Sequence, residues 1–219
     1  VFWRLLPLPR LVRTLLSDLL CVRLLSPVSL VAHFIPGQVL SGSDWRKDRT
    51  KAGRVVLLEH SIHDIDLLEW FLGPATTVRG LVRERHGHDR IDDVASAQLE
   101  FANGAIATLV TVWHDIMERP SMRHIEVFCD NLYIGVEGDS DGPVRFRFTG
   151  EDERVVAKDE LLAVLATYDD GPLNPDGVFV RSVSRNEPAN PRCSDALRAH
   201  DVVDAIYASA ANGGEVVRL

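Results

Sequence analysis

The sequence predicts an α+β fold: a two-layer, predominantly antiparallel open sheet with helices on one face. Three observations carry this. Short runs of β-rich residues come in pairs joined by tight-turn dipeptides, Asn103-Gly104 and Asp130-Asn131 among them. Segments of helical period lie mainly towards the two ends of the chain and do not alternate with the strands, which argues against βαβ units. Finally, neither G-x-G-x-x-G nor G-x-x-x-x-G-K-[ST] occurs, so neither of those phosphate-cradling turns is present.

Taken in order, Val1–Arg4 reads as a strand end and Leu11–Val22 as a helix, apolar at Leu11, Leu15, Leu19 and Val22. Val28–Phe34 is β-rich, and Gly37–Lys51 is polar and reads as a long loop. Val55–Leu72 has helical period and stops at Gly73-Pro74, where glycine takes a left-handed conformation and proline cannot continue the helix. Strands follow at Thr77–Arg83, Ala95–Phe101, Ala105–Trp113, His124–Cys129, Leu132–Val136, Val144–Phe148 and Arg154–Ala157. Asp159–Thr167 and Asp176–Ser184 read as short helices, Ser194 caps a helix reaching Ala211, and Val216–Leu219 closes the chain as a strand.

Bulk properties exclude several classes. With 219 residues, 46% hydrophobic and 26% charged, the chain has enough apolar surface for a sizeable core. A net charge of −8 argues against a nucleic-acid partner, which requires clustered Lys and Arg. Cys21, Cys129 and Cys193 are far apart with no C-x-x-C pair, which predicts reduced, buried thiols in a cytoplasmic protein. The apolar N-terminal stretch is broken by Pro7, Pro9 and several charges, so neither a membrane anchor nor a signal peptide is expected.

The chemistry concentrates in "LLEHSIHDIDLLEWFLG", Leu57–Gly73. Glu59 and His63 are four apart and meet on one helix face, with Asp66 and Trp70 continuing it. Such a pair is either an exposed helix contact or a general base whose imidazole pKa the carboxylate raises towards neutrality. His60, His63, His86, His88 and His114 raise the question of a metal, but H-E-x-x-H is absent and no metal is expected. "GVEGDSDGP" reads as an acidic hairpin tip and Asp92-Asp93 as a turn, not a carboxylate dyad. On the strand after Asn103-Gly104, Ile106, Thr108, Val110 and Val112 face one way and Ala107, Leu109, Thr111 and Trp113 the other. Both faces are largely apolar, which predicts a homo-oligomer through the uncovered face.

Several stretches together resemble the C-terminal domain of the Gfo/Idh/MocA family of oxidoreductases. They are "AGRVVLLEHSIHDIDLLEWFLGP" with "DWR" upstream, "IDDVASAQLEFANGAIATLV", "IEVFCDNLYIGVE" and "SDALRAHDVVDAIYASAANGGEVVRL". The resemblance implies an NAD- or NADP-dependent enzyme acting on a polyol, sugar or related carbonyl. It implies that residues 1–25 are an inter-domain strand and helix, the remnant of a missing nucleotide-binding domain. Residues 26–219 would be the substrate-binding and oligomerisation domain. By position it assigns His63 as the catalytic base with Glu59 orienting it, Trp45, Arg46, His60 and His114 to the substrate, and Gly53 and Arg54 to the cofactor. Neither the family's dinucleotide fingerprint nor its E-K-P lysine is present, and without the Gly-rich turn the chain alone is expected to be inactive; Gly53-Arg54-Val55 also replaces the triple glycine usual in the family.

Overall fold

The computed structural model describes residues 2–18, 28–36, 45–85, 87–114, 116–138, 142–157, 159–161, 163, 175–189 and 191–219. Its frame is a nine-stranded sheet in the order β8-β7-β6-β5-β1-β4-β3-β2-β9. The strands are β1 Val28–Pro36, β2 Ala75–Arg83, β3 Val94–Phe101, β4 Ile106–His114, β5 Met122–Phe128, β6 Leu132–Glu137, β7 Val144–Phe148, β8 Arg154–Val156 and β9 Val217–Arg218. Every pairing is antiparallel except β1 with β4, because β1 is the one strand inserted between later hairpins. The expected mostly antiparallel sheet is thus present, with one parallel seam at its centre.

The period-two alternation decides the layers. Along β4, Ala107, Leu109, Thr111 and Trp113 are buried, whereas Ile106 on the other face is 48% exposed. Helices α1 (Pro7–Asp18), α3 (Ile62–Leu72) and α5 (Cys193–Ala211) cover the buried face. α5 approaches β2 so closely that a Cβ on Gly80 would lie 2.6 Å from Ile206 Cγ2 and 2.8 Å from its carbonyl oxygen. Only glycine allows this spacing. One core of buried aliphatic and aromatic side chains runs between the layers, from Leu8 and Leu15 through Leu68, Leu109 and Ile134 to Val202 and Ile206.

Several local expectations give way. Residues Phe2–Leu5 form a 3₁₀ turn, not a strand, because the apolar run is too short to reach the sheet and leads straight into α1. α1 begins at Pro7 because prolines in the first helical turn lose no intrahelical bond. Its buried Leu8, Leu11, Val12, Leu15 and Leu16 keep helical spacing. The expected loop contains a four-residue helix, α2 (Arg49–Ala52), whose N-cap Asp48 accepts from the Thr50 amide at 2.9 Å. The expected helix over Val55–Leu72 splits into a π-helical turn, Val56–Ser61, and α3. α4 (Pro175–Arg185) and α5 are found, but α5 is capped at Arg192, whose amide donates to Asp195 Oδ2 at 2.9 Å, and not at Ser194. Cys193 is exposed and Cys129 half-buried, so the buried-thiol expectation fails for Cys193. Cys21, His86, most of the expected Gly37–Lys51 loop, the tip of the acidic hairpin and most of the expected Asp159–Thr167 helix lie outside the described residues. Among the described residues, no helix is long and apolar enough to cross a membrane.

Candidate functional site

The site is built on the π turn, and the turn is held by a buried carboxylate. Gly53 ends α2 with φ 70°, and the chain then enters Val55 and Val56. Their two amides donate to Asp92, Val55 N to Oδ1 at 2.9 Å and Val56 N to Oδ2 at 3.0 Å. Tyr207 of α5 donates its hydroxyl to Asp92 Oδ2 at 2.7 Å. Burial, followed by the Asp92 charge, drives the Tyr207 phenol far above its ordinary pKa and keeps it protonated as a donor. Arg54 lies over the Tyr207 ring, 4.0 Å from its centroid. Asp93 is equally structural, accepting from the Arg85 amide at 2.7 Å and 2.9 Å. The turn reading of Asp92-Asp93 therefore holds, with buried carboxylates as the fasteners. The Ser61 and Thr111 hydroxyls near the turn are buried and meet no hydrogen-bond partner among the described residues.

On this turn Glu59 engages Arg46, not His63. Arg46 Nε reaches Glu59 Oε1 at 2.7 Å and Oε2 at 2.8 Å, and the guanidinium lies 4.3 Å from the centroid of Trp45. Hydrogen bonding to Glu59 raises the Arg46 pKa further above its ordinary value. A π turn has more residues per turn than an α-helix, so four-residue spacing no longer stacks two side chains. His60 meets the edge of the Trp113 ring, centroids 5.2 Å apart at 81°. Trp45, Arg46 and Glu59 are thus brought together, and His60 joins Trp113. His114 ends β4 one residue beyond Trp113, with both ring nitrogens buried and no hydrogen-bond partner among the described residues.

His63 sits in the first turn of α3 against Trp3, ring centroids 5.7 Å apart. The expected rise in its pKa does not occur. Burial pushes the imidazole down to about 4, with lesser lowering from the amino terminus, Arg123 and His60 outweighing Asp64. Its neighbours on the helix are each tied to another element. Asp64 accepts from Arg123 Nε of β5 at 2.6 Å, both side chains being almost fully buried. Asp66 accepts two bonds from Arg4, at 2.6 Å and 3.0 Å. Arg123 also lies 3.9 Å from the centroid of Trp3. Sequence reasoning missed the Asp64–Arg123 pair, although two periodicities pointed to it. Arg123 shares strand parity with buried Ile125 and Val127, and Asp64 falls with Leu57, Ser61 and Leu68 on one helical stripe. No group of three or more His, Cys, Asp or Glu among the described residues could hold a metal ion.

Gly53 and Arg54 stand at an open edge of the turn. A Cβ on Gly53 would meet nothing within 4 Å, so the backbone there is open to approach, and Arg54 adds a cation beside it. The mainly antiparallel sheet has no parallel βαβ crevice in which a dinucleotide would lie.

Comparison with known proteins bears on the fold and the lineage. Residues 26–134 match the GFO/IDH/MocA C-terminal domain. No curated protein sequence matches the chain. Among solved structures, an oxidoreductase from Agrobacterium radiobacter in complex with NAD+, L-tartaric acid and magnesium is similar at TM-score 0.77 and 16% identity, covering 99% of this chain and 63% of that one. The WlbA dehydrogenase from Bordetella pertussis, in complex with NADH and UDP-GlcNAcA, is similar at TM-score 0.79 and 18% identity, with coverage of 100% and 63%. A levoglucosan dehydrogenase in complex with NADH and levoglucosan gives TM-score 0.81 at 17% identity, with coverage of 100% and 64%. The chain therefore spans less than two thirds of the length of these structures. Through the match over residues 26–134, the chain carries a GFO/IDH/MocA C-terminal domain.

Proposed function

We propose that the chain is the substrate-binding and oligomerisation part of an NAD- or NADP-dependent oxidoreductase acting on a polyol, sugar or related carbonyl, with His63 as the catalytic acid–base group. The observation that carries this reading is His63 itself. It is half-buried at the start of α3 beside the Trp3 ring, where an imidazole can meet a bound hydroxyl and take its proton. The family match and the NAD+ or NADH complexes among the structural relatives support the redox class.

In this reading the substrate hydroxyl gives its proton to a ring nitrogen of His63 as its C–H bond breaks and a carbonyl forms. The cofactor, when bound, supplies the acceptor for the hydride. Glu59 acts through Arg46: the ion pair, stacked on Trp45, aims a cation at the substrate's oxygens and holds the turn before His63 in place. His60 and His114 complete the polar lining, and Gly53 and Arg54 meet the cofactor's edge. Most of the cofactor is held by a nucleotide-binding domain outside this chain, which by itself is inactive. A cytoplasmic setting belongs to the same reading.

The sheet's outer face is the surface for a second copy. Across one row, Ile106 and Phe128 lie exposed on either side of Val28 with Tyr133 beyond, and Met122 is exposed in another row. Sedimentation at micromolar concentration tests this, and a strict monomer refutes it.

The catalytic reading is tested with the nucleotide-binding domain present. His63→Ala is expected to lower turnover by at least about 100-fold while substrate binding persists. Unchanged turnover favours a non-catalytic binding or dimerising module. NADH-dependent turnover, or micromolar cofactor binding, by the chain alone refutes the division of labour.

A further inference from the structure

We propose that Trp3 is a positioning residue for His63, and that the buried Asp64–Arg123 pair is the support that keeps Trp3 in place. This deepens the reading of His63 as the acid–base group and rests on it.

The contacts form a continuous chain. Arg123 of β5 is fixed by its bond to Asp64 Oδ1 at 2.6 Å. Its guanidinium lies 3.9 Å from the centroid of Trp3, and the Trp3 ring lies 5.7 Å from the His63 ring at a tilt of 33°. The 3₁₀ turn that carries Trp3 is pinned independently. Arg4 grips Asp66 with two bonds, and the Leu6 amide donates to the Trp3 carbonyl at 3.0 Å. Asp64 and Asp66 both follow His63 on α3 and are held by different partners, Arg123 and Arg4, while the Trp3 ring stands beside the imidazole. An indole placed there excludes water from one side of the imidazole and limits its rotation about χ2.

This arrangement explains the imidazole's environment. Burial is the largest influence on His63, and the Trp3 ring stands against the imidazole. The charged and titratable groups of the described residues acting on it are Asp64 beside it on α3, Arg123 from β5 and His60 from the π turn. Glu59 on that turn is engaged by Arg46. Removing the indole therefore raises the imidazole's pKa by restoring water, while the ion pair beneath remains.

The test is a titration of His63 by imidazole NMR in the full chain, with the resonance assigned by its loss in His63→Ala. In Trp3→Ala the His63 pKa is expected to rise from about 4 towards its ordinary 6.5, and Trp3→Phe is expected to restore the low value. Circular dichroism checks that both variants keep the fold. A folded Trp3→Ala with an unmoved titration overturns the proposal, as does a Trp3→Phe that behaves like Trp3→Ala. If Trp3→Ala unfolds, Trp3→Gln, which keeps length but brings a polar, hydrated group to the imidazole, is titrated instead and must show the rise. Because the readout is protonation and not turnover, it fails or succeeds independently of the catalytic reading.

Discussion

Replacing Arg123 by methionine should cost the fold far more than an ordinary surface change. The Arg123 and Asp64 side chains are 2% and 0% exposed and 2.6 Å apart. Arg123→Met leaves a carboxylate in the core without its cation, and breaking a buried pair in this way costs about 3–5 kcal/mol. Against a total stability of about 5–15 kcal/mol, that is a large fraction. With a urea m-value of about 2 kcal/mol/M, the midpoint should fall by about 1.5–2.5 M. The double variant Asp64→Leu/Arg123→Met removes both charges and keeps apolar volume, so it should return to within about 1 kcal/mol of the parent. Urea unfolding followed by tryptophan fluorescence measures all three. A single variant within about 1 kcal/mol of the parent refutes the reasoning. A double variant as weak as the sum of its singles refutes it equally, because the two sites would then not be coupled.

Other substitutions probe the supports of the site. Asp92→Asn keeps the shape but turns an NH₂ towards one of three donors, so it should cost about 2–3 kcal/mol and speed hydrogen exchange at the Val55 and Val56 amides; unchanged exchange counts against it. Gly80→Ala should lower stability by about 1–3 kcal/mol in thermal melts, and Ile206→Ala should not rescue it, because the clash includes the Ile206 carbonyl. His63 is held at about 4, below its ordinary 6.5, so the unfolded chain binds more protons between those values. Its contribution to stability is complete above about pH 6.5 and is lost as pH falls towards 4, and His63→Gln should flatten that limb of the pH–stability curve.

Much of the architecture could be read from local pattern. Asn103-Gly104 forms its tight turn, with Gly104 at φ 85° and the Ala105 amide bonded to Asn103 Oδ1 at 3.0 Å. The two faces of β4 separate as its alternation predicts. Gly73 stops α3 at φ 90°, its amide bonded to the Glu69 carbonyl at 2.9 Å. What failed was set by tertiary contact. The π turn arises where Asp92, 37 residues away in sequence, takes the Val55 amide, and no helical periodicity reports such a distant fastener. Glu59 and His63 stand four residues apart, but the π turn does not stack them, and Arg46 lies beside Glu59 in space and captures its carboxylate. His63 then owes its environment to Trp3, in a segment read as strand because three apolar residues say little about backbone geometry. Residue types and order pointed to the site, while the partner of each side chain came from the fold.

The central claim is that an imidazole at position 63 takes the substrate's proton. Its most direct test is chemical rescue of His63→Ala in the cofactor-complete protein, following NAD(P)H formation as free imidazole is added. The account predicts that the lost hydride-transfer rate returns in proportion to the free-base imidazole concentration, with substrate affinity unchanged. A folded, substrate-binding His63→Ala protein that shows no loss, or a loss that imidazole never restores, contradicts it.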